Sequence, residues 1–506
     1  MKIVQSYWSL PSQSSLVEED GRQKGGWAHK KYHYYGMALS CLLLRRFYSE
    51  VELITDTVGK KLLIDVLGLP YTSVSTDLDQ FIDYPAVLWS LPKLYAYSIQ
   101  TSPFLHVDGD VFIWEAFNPT VLQAAVVAQS PEIKHEHMYK DAVTKLCDLI
   151  GYVPTPFAPN SADNTIALNA GVLGGTDVEF LSSYALAAIS IIKDNIDIIK
   201  KNCNTGIVNI ALEQLLLYNF CKMSNKEIAY VIPVLSHDFK EVINFHTAPV
   251  IQTFIHLIGK AKKSLLACEQ VEFRLKYEFP DYYDRITEVI NHEFASCIFT
   301  SNKEQETNSE PYFARTKLML KNKGIYVNEY INYSIIKKVI QIINNQCFLS
   351  YARDIYNLDK CKMLIKNISD DVDLWLNKQK VYKLLEKRSA QYVLNCPLTL
   401  THSIYIVQTT WNLKTLNNLN LYQTNFDLKN DNSHYILIQK KGNIFIEEEL
   451  FGWDQLLIRF YNNAITGYEL LMELKDSVIS EQVNLEQSVL DFILTEMVYA
   501  NRLVVV

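Results

Sequence analysis

Through the first 300 residues, short apolar runs of β type alternate with longer stretches whose apolar positions recur every three or four residues. That alternation predicts an α/β sheet with crossover helices. Strands are expected at Ile3–Val4, Val51–Thr55, Phe104–Val107, Thr165–Val172, Ile228–Pro233 and Val242–His246. Helices are expected between them, at Lys31–Tyr48, Val58–Leu67, Pro85–Ile99, Val178–Lys200 and Ile207–Phe220. Roughly 300 residues in this order can bury a doubly wound core. Residues 300–311, TSNKEQETNSEP, hold no large apolar side chain and read as a linker. From Phe313 to Leu394 the helical spacing returns without chemical motifs, as in a helical connector. Beyond Cys396 come β-type runs at Ser403–Gln408, Ser433–Ile438 and Asn443–Glu447, with Lys441-Gly442-Asn443 as a hairpin turn. Amphipathic helices at Trp453–Tyr461, Gly467–Leu474 and Leu485–Tyr499 follow, then a last strand, Leu503–Val506. Three domains are expected: a Rossmann-like α/β domain over 1–299, linker and connector over 300–395, and a small α+β, winged-helix-like domain over 396–506.

Composition narrows the function classes. The 506 residues exceed a single compact core, and 49% hydrophobic with 21% charged residues is an ordinary globular balance. A net charge of -8 argues against a nucleic-acid groove, which needs a basic face. The 9 cysteines are scattered, odd in number and without a CxxC pair, so neither a disulfide framework nor a zinc site is indicated. The N-terminal MKIVQSYWSLP lacks the apolar core of a signal peptide, and apolar windows such as Ser182–Ile192 fall short of the ~20 residues of a membrane span. The expectation is a cytoplasmic protein with no membrane span.

The candidate chemistry lies in three segments. In Phe104-Leu-His-Val-Asp108-Gly109-Asp110-Val, an apolar strand runs into two carboxylates separated by one glycine. Carboxylates at a strand end can share a hard divalent cation with a diphosphate, and glycine permits the tight turn between them. As a bare tripeptide, Asp-x-Asp is more often a turn than a metal site; the apolar runs on both sides strengthen it. The second segment, Ala167-Leu-Asn169-Ala-Gly171-Val-Leu-Gly-Gly, is built of small residues that let backbone approach a sugar, with Asn169 offering an amide. Its bland alternative is a glycine-rich strand and turn. The third, Phe254-Ile-His256-Leu-Ile-Gly259-Lys-Ala-Lys262, spaces an imidazole, a glycine and an ammonium at intervals of three. Taken alone, His256 is more often a satisfied core histidine than a ligand.

Together, in this order, the segments resemble the retaining GT-A glycosyltransferases related to glycogenin and to bacterial lipopolysaccharide galactosyltransferases, marked by Asp-x-Asp, Asn-Ala-Gly and His-x-x-Gly-x-x-Lys. The resemblance covers roughly residues 1–270. It implies a GT-A fold, a Mn2+ or Mg2+ cofactor held by Asp108, Asp110 and His256, and a nucleotide-sugar donor of the UDP type. It further implies a sugar contact at Asn169 and a diphosphate clamp at Gly259 and Lys262. Where such families carry Pro-Trp after the lysine, Lys263-Ser264 stand here, so the acceptor side differs.

Other positions fit more loosely. Tyr7 and Trp8 follow the first strand, where a nucleobase is held, and Asp56 ends the second, where it serves a ribose or caps a helix. Lys93 either reaches a phosphate or is a solvated helix lysine. Glu213 and Gln214, in a helix with its leucines turned the other way, resemble the pair lining the reacting sugar. The C-terminal segment Gly467-Tyr-Glu-Leu-Leu-Met-Glu-Leu to Asn501-Arg-Leu resembles the leader-binding winged-helix domains of ribosomal-peptide modification systems, which implies a peptide acceptor caught on a sheet edge. A dimerisation or packing module is the plainer reading. The rival functions are a non-catalytic scaffold derived from the GT-A fold and a nucleotidyltransferase, the latter with only Gly21-Arg-Gln-Lys-Gly-Gly as a faint phosphate loop.

Overall fold

The structure, a computed structural model, describes residues 1–13, 25–132, 136–157, 166–201, 206–233, 240–249 and 251–298, then 313–322, 334, 336, 338, 346–365, 371–386, 390–413, 416, 433–441, 444–461, 463–475, 484–499 and 502–505. The chain forms two compact units, Met1–Asn302 and Lys303–Val506.

The first unit is built on β1 (Lys2–Tyr7), β2 (Val51–Thr55), β3 (Ser73–Ser75), β4 (Phe104–Val107), β5 (Val111–Ile113), β6 (Val126–Glu132), β7 (Ala167–Gly175), β8 (Ile228–Tyr230) and β9 (Phe254–His256). Seven of these make one mixed sheet in the order β3-β2-β1-β4-β7-β6-β8. The β1–β4 part is parallel, and β7 runs antiparallel between β4 and β6. Strands covered on both faces are apolar without alternation, as in Phe104-Leu-His-Val, where all four residues are buried. On one face Val4, Ile54 and Phe104 join Leu94 and Tyr97 of the helix Leu91–Ser98 and Leu181 of the helix Val178–Asp194 in a single core. On the other, Gln5 donates to Ser40 of the helix Lys30–Phe47 at 3.0 Å. An α/β sheet with helices on both faces is therefore present, as the alternation predicted.

Several boundaries differ. Val242–His246 is not a strand: the chain makes a helical turn, Lys240–Ile243, and a 3-10 turn, Phe245–Thr247. Val242 and Phe245, three apart and both buried, occupy one side of those turns, a helical spacing that resembled a short apolar run. The helix from Val178 stops at Asp194, because Asn195 leaves helical geometry, and restarts at Ile196–Lys201. The helix expected from Pro85 begins only at Leu91. Its counterpart at Ile207–Phe220 runs as Gly206–Ile210, a π turn at Ala211–Leu215 and Leu216–Met223.

In the second unit, β10 (Leu398–Leu400) pairs with β14 (Leu503–Val505), while β11 (Ile404–Thr409), β12 (His434–Lys441) and β13 (Ile444–Glu449) form an antiparallel meander. Lys441 lies opposite Ile444, so two residues connect β12 to β13; 442–443 themselves, like the linker 300–311, lie outside the described residues. Tyr351, Ile355 and Leu358, on the helix Gln346–Ile365 of the expected connector, share one core with Ile436 and Ile438 of β12. Leu490, Ile493 and Met497 are buried. No helix among the described residues is long and apolar enough to cross a membrane.

Candidate active site

Beside β1 the strand order reverses, with β2 and β3 on one side and β4 on the other. Such a switch point opens a crevice at the carboxyl ends of the two central strands. Here it holds two adjoining cavities of about 260 and 550 Å³ that share Lys93, Asp108, Asp110 and Lys262.

β4 delivers Asp108 to the crevice mouth, and Val111 N donates to Asp108 O at 3.1 Å to close a tight turn into β5. A Cβ on Gly109 would stand 2.1 Å from Met37 Sδ, so a larger residue between the two acids would force Met37 to move. β5 pairs with β9, Val111 opposite His256, and this ribbon carries the imidazole to the carboxylates. Ligand atoms of Asp108, Asp110 and His256 all lie within 4.8 Å of one another, with His256 Nε2 3.5 Å from Asp110 Oδ1. Two carboxylates and one imidazole are a donor set for a hard or borderline divalent cation such as Mg2+ or Mn2+, so the residues fit the group that the motifs imply.

Two lysines balance the acids. Lys262 Nζ is 2.6 Å from Asp110 Oδ2, reached through Gly259, which takes the left-handed φ of 51°. Burial alone would raise the Asp110 carboxyl, but Lys262 and His256 beside it hold it well below the usual carboxylate range. Lys93 is buried rather than a solvated helix lysine, and its Nζ meets Asp108 Oδ1 at 3.0 Å, Glu213 Oε1 at 2.5 Å and Ala170 O at 3.2 Å. Burial would lower this ammonium; Asp108 and Glu213 outweigh it and raise it. The Asp108 and Glu213 carboxyls are both pushed up by burial, against the pull of Lys93.

Glu213 is among the residues that line the larger cavity, on the side away from its leucines. The π turn tucks it to 0% exposure, where Tyr97 donates to Oε1 at 3.2 Å and Oε2 has no partner among the described residues. Gln214 stays on the cavity wall, its Oε1 accepting from Tyr139 at 2.7 Å. Asn169 also lines the cavity, but both ends of its amide are engaged: Nδ2 donates to Glu132 Oε1 at 2.7 Å and Oδ1 accepts from Gly171 N at 3.0 Å.

Tyr7 and Trp8 line the smaller cavity with Trp27, His33, Met37 and Trp89. Burial raises the Tyr7 hydroxyl to about 12 and lowers the His33 imidazole to about 4. Asp56 is absent from both cavity walls. It caps a helical turn, accepting from Gly59 N at 2.6 Å and from Ser9 N and Oγ at 2.8 Å each. Residues 21–24 of the faint phosphate loop lie outside the described residues. His33, Trp89 and Gln129 carried no motif that sequence could flag; the nearest signal for His33 is its place three residues into the helix after β1.

A protein-family model described as a family of unknown function (DUF6734) matches residues 1–289. No curated protein matches the chain. Among solved structures, the chain is similar to the galactosyltransferase LgtC in complex with donor and acceptor sugar analogs, at 13% identity over 46% of this chain and 73% of that one, with a TM-score of 0.25. It is also similar to mouse xyloside xylosyltransferase 1 in its apo form, at 10% identity over 50% and 96% of the two chains, with a TM-score of 0.24. Both likenesses are distant.

Proposed function

The chain belongs to a family of unknown function (DUF6734), and from its site we propose that it is a metal-dependent glycosyltransferase that takes its sugar from a nucleotide-sugar donor. The observation that carries this reading is the convergence of Asp108, Asp110 and His256 at one strand-end crevice, with Lys262 on the same carboxylate. A divalent cation held by these three residues would neutralise charge on a departing nucleoside diphosphate. Lys262 adds a second positive charge beside that position, and Gly259 gives it the reach. Tyr7 and Trp8 offer aromatic surface for a nucleobase in the smaller cavity, which supports a donor with its base near β1 and its diphosphate near the end of β4. The sugar then falls in the larger cavity, where Asn169 and Gln214 line the wall and Lys93 with Glu213 supply buried charge behind it.

The motif order resembles that of the retaining enzymes, and this likeness supports retention and a UDP-type donor with Mn2+. The winged-helix reading of the second unit supports a peptide acceptor: β11 and β13 stand at the edges of their sheet, where an extended chain can add backbone hydrogen bonds. Since Leu490, Ile493 and Met497 are buried, side-chain selectivity would come from elsewhere than their face.

A thermal-shift panel of nucleotide sugars with and without Mn2+ tests the proposal. A donor at about 100 times its Kd should stabilise by about 2.7 kcal/mol, and only with metal. Asp110→Asn should abolish that shift and the slow hydrolysis of the same donor. Native protein that no nucleotide sugar stabilises, or an Asp110→Asn variant that responds like the native chain, would sink the assignment.

A further inference from the structure

Resting on the metal-site reading above, we propose that Gln129 is a positioning residue: it fixes the tautomer of His256, so that Nδ1 carries the hydrogen and Nε2 is left as a lone pair for a divalent cation.

Gln129 belongs to β6 and is fully buried, 127 residues from His256 in the sequence, yet its Oε1 is 2.7 Å from His256 Nδ1. An amide oxygen only accepts, so the imidazole must donate from Nδ1. Nε2, on the far side of the ring, points to Asp110 Oδ1 at 3.5 Å. In the neutral ring a lone pair then faces a carboxylate oxygen, an arrangement that calls for a cation between them.

The fold goes to some length to allow this contact. Along most of the β6–β7 ladder residues pair one to one, but Ala128 pairs with Leu173 and Ser130 with Asn169, so Gln129 alone stands opposite 170–172. The bulge puts Gly171 where the amide and the imidazole meet. A Cβ there would lie 2.3 Å from Gln129 Oε1 and 2.5 Å from His256 Nδ1. The Gly171 carbonyl accepts from Asp108 N at 2.9 Å, and the Gln129 carbonyl accepts from Ile232 N at 2.8 Å, so both backbones are pinned. One irregularity therefore orients a carboxylate ligand from one side and opens the path for the histidine's support from the other. Among the described residues Gln129 Nε2 has no partner, which leaves the contact to His256 as the one hydrogen bond of this buried side chain there.

The test uses full-length protein with 15N-labelled histidine, the His256 signals being assigned by their loss in His256→Gln. Metal-free native protein should show His256 as the Nδ1–H tautomer. Gln129→Met, which keeps the volume but accepts no hydrogen bond, should lose that signature and weaken Mn2+ binding 10- to 100-fold. Gln129→Glu, whose carboxylate accepts the same bond, should keep the signature and hold Mn2+ within a few-fold of native. A native Nε2–H tautomer, an unchanged signature in Gln129→Met, or its loss in Gln129→Glu would each overturn the proposal. The tautomer is read without donor or metal, so a protein that binds no nucleotide sugar would fail the functional reading while this one is still decided.

Discussion

Gly171→Ala is the smallest change that strikes the site through its scaffold. The added methyl would sit 2.3 Å from Gln129 Oε1, 2.4 Å from His256 Cε1 and 2.5 Å from His256 Nδ1, roughly 1 Å inside van der Waals contact with each. β7 cannot retreat, since β4 and β6 bound it on both sides and all nine of its residues are buried. The amide and the imidazole must therefore part. Overpacking of this kind costs about 1–3 kcal/mol, and a buried polar group stripped of its partner about 1–3 kcal/mol more. A loss of about 2–6 kcal/mol is a large share of the ~5–15 kcal/mol that holds a domain together. Urea unfolding of the first unit, followed by the fluorescence of Trp8, Trp27, Trp89 and Trp114, should show the shift. Calorimetric titration of the surviving folded protein should show Mn2+ bound about 10- to 100-fold more weakly, as expected for a ligand that has lost its support. A variant with the native midpoint and native Mn2+ affinity would mean that the Gln129–His256 contact over Gly171 is not made, and the reasoning would fail with it.

Lys262→Met removes the ammonium that shares Asp110, so Mn2+ should bind more tightly in the absence of nucleotide while UDP binds more weakly; two changes of the same sign in paired titrations would refute the shared-carboxylate picture. Glu213→Gln removes one of the two acids on the buried Lys93 while Asp108 stays at 3.0 Å, so a cost of about 1–3 kcal/mol is expected, read as a lowered unfolding midpoint; a change below about 0.5 kcal/mol would show that the pair is not a fixed part of the core. In the second unit, burial pushes the Glu496 carboxyl up to about 7 against the pull of Arg502, from an ordinary 4.5. A raised carboxylate pKa means the folded state holds the proton longer, so the stability it contributes is complete below pH 4.5 and is lost as pH rises toward 7. The span corresponds to about 3 kcal/mol; unfolding followed by Trp411 and Trp453 should show the decline, and Glu496→Gln should flatten it.

What sequence could reveal depended on how local the determinant was. β2 and β4 fall where their apolar runs begin and end, and the helix Lys30–Phe47 within one residue of its periodicity. The acids, His256 and Lys262 were legible because each sits in a short segment with a chemical spacing of its own. β3, with Ser73 and Ser75 flanking a single valine at a sheet edge, offers no such run, and β6 was hidden by the helix-like Val121-Leu-Gln-Ala-Ala that precedes it. Asp56 could be read either way because a strand-end acid suits a ribose and a helix cap equally; the turn Thr57–Lys60 takes it as a cap. That Lys93 and Glu213 pair with each other could not be read, since a helical wheel carries no knowledge of a π turn or of a partner charge 2.5 Å away. Gln129 was invisible, its role created by a bulge and by a glycine on the neighbouring strand.

The pairing of Val111 with His256 joins positions about 145 residues apart, and closing so long a loop is a slow, non-local event in folding. Asp108 and Asp110 share the one turn between β4 and β5, whereas His256 joins them only through the pairing of β9 with β5. A site that uses all three side chains therefore exists only where β9 lies on β5, and any change that loosens this short ribbon removes the imidazole from the two acids without touching either.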